Sequence, residues 1–94
     1  MNQLHKNVID KYMRMIAKEL DLNKLYPLIK SEIKSQAKDK TGFFTFDLDN
    51  GPTSTNTRFL IMLKTCDDSM FKIFYDALIS TDQLFIANLL KPHL

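Results

Sequence analysis

Cysteine and histidine are the side chains that most readily supply nucleophiles, bases and soft metal ligands near neutral pH. This chain of 94 residues has one cysteine, Cys66, and two histidines, His5 and His93, which stand at its two extremities. A nucleophilic Cys–His pair needs its base oriented by a third group, and no spacing here supplies one. One Cys and two distant His do not match a closed zinc site either. Gly42 and Gly51 are the only glycines, so no glycine-rich loop can cradle a phosphate. The carboxylates are scattered over turns and polar faces, without an apolar pocket to raise one of them into acid–base range. These exclusions point to a non-catalytic protein with no catalytic residue, no cofactor and no bound metal.

The residues that remain chemically distinctive are cations. Lys11, Arg14 and Lys18 recur at i, i+3 and i+7, which places them on one face of a helix. Asp10 lies four residues before Arg14, the favourable order for a helical ion pair. Residues 1–40 carry nine Lys or Arg against five Asp or Glu, and residues 41–94 carry four against six. The formal net charge of +2 hides this asymmetry, which tends to give one compact domain oppositely charged faces.

The elements that position these charges follow from hydrophobic periodicity. The apolar fraction is 45%, with seven Phe and five Met, which suits a core of bulky, adaptable side chains. Two Gly and three Pro favour helices over a chain of tight turns. Leu4, Val8, Ile9, Tyr12, Met15 and Ile16 predict a first helix from about Gln3 to Leu20. Asp21 or Asn23 caps a second helix with Leu25, Tyr26, Ile29 and Ile33 as its stripe, and with Asn23 as cap Pro27 falls within or just after the first turn. Residues 35–42 read as a loop or frayed end. Phe43, Phe44, Phe46 and Leu48 then read as a short irregular helix or turn closed by Asp49-Asn50-Gly51-Pro52.

Pro52 to Thr55 supply caps for a further long helix, whose buried stripe is Phe59, Leu60, Met62, Leu63 and Cys66. On that stripe Cys66 is a small hydrophobe of the core. Asp67 or Asp68 opens the next helix, a carboxylate suiting the positive end of its dipole, with Met70, Phe71, Ile73, Phe74, Ala77 and Leu78 inward and Lys72–Asp76 as an exposed i, i+4 pair. Ser80 and Gln83 match a capping box for the last helix. Leu84, Phe85, Ile86, Ala87, Leu89 and Leu90 make that helix apolar nearly all round. It must pack deeply, against the first and fifth helices, or offer apolar surface outward. The lone cysteine leaves no internal disulfide, and no apolar run approaches the roughly 18 residues of a membrane span. A single domain over residues 1–94, in a soluble, reducing, cytoplasmic setting, is the expectation.

From Arg58 onward the chain resembles a known family. Arg58-Phe59-Leu60-Ile61-Met62-Leu63, the Cys66-Asp67-Asp68 turn, and Met70-Phe71-Lys72-Ile73-Phe74-Tyr75-Asp76-Ala77-Leu78 are similar to the fourth and fifth helices of a caspase recruitment domain (CARD). Ile79 to Leu90 is similar to the link into the sixth. Phe74 to Leu78 followed by Ser80-Thr81 is closest to the prodomains of initiator caspases. The long basic first helix and the Leu20-Asp21-Leu22-Asn23-Lys24-Leu25-Tyr26 junction fit less specifically. Where the family has a polar, acidic third helix, this chain has Gly42-Phe43-Phe44-Thr45-Phe46-Asp47-Leu48-Asp49.

The resemblance implies an all-α, six-helix antiparallel Greek-key bundle of the death fold. It implies binding to another CARD-containing protein, an initiator caspase or adaptor, in apoptotic or inflammatory (innate immune) signalling, with self-association as a further option. By that resemblance a basic partner-binding face maps to Lys11, Arg14, Lys18 and Arg58, and an acidic one to Glu32, Asp47 and Asp49. A stand-alone CARD acting as a host or viral decoy is the alternative. A small basic helical DNA-binding module is the alternative of another class, but it calls for a recognition helix dense in Arg, Lys, Asn or Gln. Only two Arg occur in the chain, and Asp10, Glu19 and Asp21 dilute its most basic helix. Binding to nucleic acid is therefore not expected.

Overall fold

The computed structural model describes residues 1–36 and 51–94. Among them the secondary structure is entirely helical: α1 (Gln3–Glu19), α2 (Leu22–Gln36), α3 (Gly51–Leu63), α4 (Ser69–Ser80) and α5 (Leu84–Leu90), followed by a 3₁₀ turn at Lys91–His93. The described residues thus establish an all-α fold with five α-helices. The short irregular element expected over residues 43–50 lies outside them.

α1 begins where Asn2 caps it, its side-chain oxygen accepting the His5 N–H at 2.8 Å. Val8, Ile9, Ile16 and Ala17 form its buried stripe, whereas Leu4 and Met15, expected in that stripe, are exposed. The helix stops at an extended Leu20, whose N–H still reaches the Ile16 carbonyl. α2 follows almost at once, with Leu22, Leu25, Ile29 and Ile33 inward. Because it starts at Leu22 behind Asp21, Pro27 sits in the second turn rather than the first. The missing N–H of Pro27 leaves the Asn23 carbonyl without its intrahelical donor.

α3 ends at Leu63, so Cys66 lies in the turn beyond it, but the side chain remains buried as expected. Three phenylalanines, Phe59, Phe71 and Phe74, are among the largest fully buried side chains, and Phe59 meets Phe74 with ring centroids 5.9 Å apart. Truncating any one of them to Ala would cost about 3–5 kcal/mol.

Helix directions are fixed by polar contacts at the ends. Asn56, near the start of α3, bonds the end of α1, while Lys64, just past the end of α3, reaches Asp10, so α1 and α3 run antiparallel. His5 bonds the carbonyl of His93, and Glu19 shares a cleft with Phe85, so α1 and α5 are antiparallel too.

α4 closes with a Schellman motif. Asp82 N–H donates to Ile79 O at 3.1 Å and Gln83 N–H to Leu78 O at 2.8 Å, with Asp82 at φ 61° where glycine is usual. The capping box expected of Ser80 and Gln83 does not form: Ser80 is the last residue of α4, and α5 has no side-chain cap. The Gln83 side chain instead crosses to the α1–α2 junction, accepting from Asp21 N at 2.8 Å and donating to Asp21 O at 3.1 Å and Thr81 Oγ1 at 2.8 Å. No described helix is long and apolar enough to cross a membrane.

Candidate functional site: a cationic face and groove on the first helix

Lys11, Arg14 and Lys18 are all exposed on α1, so the helical spacing brings them to one outward face as expected. Lys11 lies with its Nζ 5.3 Å from the centroid of the Tyr12 ring, a weak cation–π contact at an exposed site. The helical pair expected between Asp10 and Arg14 is replaced by a tertiary one. Asp10 Oδ1 lies 2.5 Å from Lys64 Nζ. Among the described residues, Arg14 and Lys18 therefore make no ion pair. Nor, among them, does the Lys72–Asp76 pair expected on α4 form, and both side chains remain exposed.

A groove of about 690 Å³ runs beside this face between α1 and α3, lined by Asp10, Met13, Arg14, Ala17, Lys18 and Thr57. Met13 and Ala17 give it an apolar floor and Arg14 and Lys18 a cationic rim. Neutralisation of Asp10 by Lys64 leaves that rim positive. Arg58, the residue after the groove-lining Thr57, is exposed on α3. Of the acidic residues expected to form the complementary face, Glu32 is exposed on α2, while Asp47 and Asp49 lie outside the described residues.

The floor is held by a contact that periodicity does not signal. Asn56 is 3% exposed, and its Nδ2 donates to the carbonyls of Ala17 and Leu20, each at 2.8 Å. These are orphan acceptors at the C-terminal end of α1. Buried polar groups must find such partners, and Asn56 thereby fixes α3 against the segment that carries Lys18. A buried Asn after a run of Thr, Ser and Thr looks in sequence like one more capping residue, which is why its role escapes a linear reading.

The histidines that sequence separates are brought together. His5 Nε2 lies 2.8 Å from the carbonyl oxygen of His93, and His5 Nδ1 lies 2.6 Å from Asp68 Oδ1. The ring also stacks on Phe71, centroids 3.9 Å apart and planes 6° from parallel. A carboxylate behind an imidazole is the pairing a general base uses, but here both ring nitrogens are engaged. Asp68 stands at the N-cap of α4, as expected, but its side chain makes no capping bond there. It turns back to accept from Asn2 N at 3.0 Å and from His5, and these two donors, the backbone N–H first, hold its carboxyl below the usual carboxylate range. The neighbouring Met1 amino group donates to the Cys66 carbonyl.

Burial pushes the Cys66 thiol up, which disfavours the thiolate a nucleophile requires. Among the described residues, no group of three or more His, Cys, Asp or Glu is placed to hold a metal ion.

The fold and this face define an all-helical domain whose most distinctive chemistry is an unspent cationic rim over an apolar floor. Comparison with known proteins returns no matching family model, no matching curated protein and no matching solved structure.

Proposed function

We propose that this protein is a non-catalytic interaction module of the CARD type, which docks an acidic surface of another CARD in apoptotic or inflammatory signalling. In this reading the fold is a six-helix antiparallel Greek-key bundle, and the module serves as an adaptor or caspase prodomain. The observation that carries it is the state of Arg14 and Lys18. They sit exposed on α1 beside an apolar groove, and Asp10, four residues before Arg14, is drawn away to Lys64. Charges held ready in this way steer encounter and select partners more than they raise affinity.

The antiparallel α1–α3 packing and the resemblance from Arg58 to Leu90 support the same reading. The test is capture of candidate initiator-caspase and adaptor CARDs by the wild-type domain and by Arg14→Glu, with circular dichroism confirming an unchanged fold. The reading expects capture by wild type that weakens with salt and is lost in Arg14→Glu. Capture that is indifferent to the reversal would exclude this face.

A further inference from the structure

We infer that this chain pairs with a second copy of itself through the outward face of α1 and the start of α5. α5 is apolar nearly all round, and the core takes only part of it. Ile86, Ala87 and Leu90 are buried, while Leu84 and Phe85 are 47% and 55% exposed. Met15 of α1 is 42% exposed. Glu19, Asp82, Leu84 and Phe85 line one cleft of about 200 Å³ where the end of α1 meets the start of α5. Glu19 and Asp82 are exposed, and among the described residues neither makes an ion pair.

Lys18 is the residue before Glu19. Successive helical residues stand about 100° apart around the axis and only about 1.5 Å apart along it. Lys18 and Glu19 therefore project from neighbouring faces of α1 at nearly one level, about 100° apart, with Met15 at an angle between them. One face is cationic, the other is the anionic cleft with Glu19 and Asp82, and exposed apolar side chains lie between and beside them. A surface carrying both signs across an apolar centre is complementary to itself, as an isologous interface must be. A two-fold axis running along α1 sets Lys18 of each copy against Glu19 and Asp82 of the other and covers Met15 and Phe85. The small net charge of +2 opposes such pairing only weakly. The charge pattern and the exposed apolar residues carry this pairing without the family reading.

The test is sedimentation equilibrium of the full chain with Lys18→Glu, Glu19→Lys, Phe85→Ser and an equimolar mixture of the two charge reversals. Thermal melts check that each variant is folded. Wild type should dimerise, more weakly in high salt, and each single variant should raise the dissociation constant at least tenfold. The mixture should recover the wild-type mass, because the carboxylate introduced at position 18 of one chain would then meet the ammonium introduced at position 19 of the other. A chain that is monomeric at all concentrations, including one that binds anionic lipid vesicles through this face instead, overturns the inference. So does a dimer untouched by both reversals.

Discussion

The Asp10 carboxylate lies 2.5 Å from the Lys64 ammonium, across the α1–α3 contact and fifty-four residues along the chain. The pair is half exposed on the Asp10 side, so its direct worth to stability is small, about 0–1 kcal/mol. Its larger effect is on Arg14, one helical turn further along. Replacing Lys64 with Ala returns Asp10 to the i, i+4 geometry with Arg14 and neutralises part of the cationic rim. We expect Lys64→Ala to leave the melting temperature within a few degrees while weakening capture of an acidic partner several-fold. A titration by calorimetry checks both the affinity and its reduced salt dependence.

Gln83 predicts a different kind of loss. Its amide behaves as a short piece of backbone, donating to and accepting from Asp21 while also reaching Thr81. Gln83→Ala removes all three bonds and should cost about 1–3 kcal/mol, at a net worth near 1 kcal/mol for each bond. Gln83→Glu keeps the shape but points a carboxylate oxygen at the Asp21 carbonyl, and should be no better than Ala. Urea unfolding of the two variants, read as midpoints at unchanged slope, measures this.

Asp82 predicts the opposite sign. It occupies the left-handed position of the Schellman motif at φ 61° and supplies no capping bond of its own. A side chain there costs about 1–2 kcal/mol, less for Asp than for most residues. Asp82→Gly should therefore stabilise the domain by up to about 1 kcal/mol, and Asp82→Val should destabilise it. The same Gly variant should weaken self-association in sedimentation, since it removes a carboxylate from the proposed contact.

What could be read from the sequence divides along a physical line. Helix positions, the α1 cation stripe and the burial of Phe59, Phe71, Phe74 and Cys66 follow from a period of 3.6 residues, which is a local property. The polar contacts do not, because each joins residues far apart in the chain. Asp10 has three cations in reach, Lys6 and Arg14 one turn to either side on its own helix and Lys64 just past α3, and only packing selects Lys64. Ser80 and Gln83 fit a capping box, yet α4 uses Ser80 as its last residue, and the freed Gln83 amide satisfies Asp21 instead. Leu4 and Met15 fit the apolar spacing of α1 but fall beyond the edge of the stripe that α3 and α5 cover. His5 and His93 look like opposite ends until antiparallel α1 and α5 bring them together.

Asn56 tests how far the groove depends on its floor. Its two bonds to Ala17 and Leu20 are fully buried. Asn56→Ala leaves two carbonyls unsatisfied, at about 1–3 kcal/mol each. Asn56→Asp is worse, because it faces a carboxylate with two acceptors and no donor, and about 3–5 kcal/mol is expected. Since one residue anchors the end of α1 that carries Lys18, hydrogen exchange should quicken at residues 16–20 before the rest of the helix.

The pairing of Asp68 with Asn2 and His5 sets an acid limit on stability. Its carboxyl titrates below the usual value because the Asn2 N–H, and after it the His5 ring, bond the charged form. A group lowered on folding contributes stability above its unfolded pKa, about 3.9 for Asp, and loses it as the pH falls through the lower folded value. Asp68→Asn should therefore be less stable than wild type at pH 7. The difference should shrink below about pH 4 and vanish once wild-type Asp68 is protonated. His5→Phe keeps the stack on Phe71 but removes the second donor. In that variant the Asp68 titration, followed by NMR, should move only part of the way toward the ordinary value, because the Asn2 donor remains. If His5→Phe restores an ordinary titration in full, the backbone donor is not the main cause, and the docking of Asn2 on Asp68 is looser than the 3.0 Å contact describes.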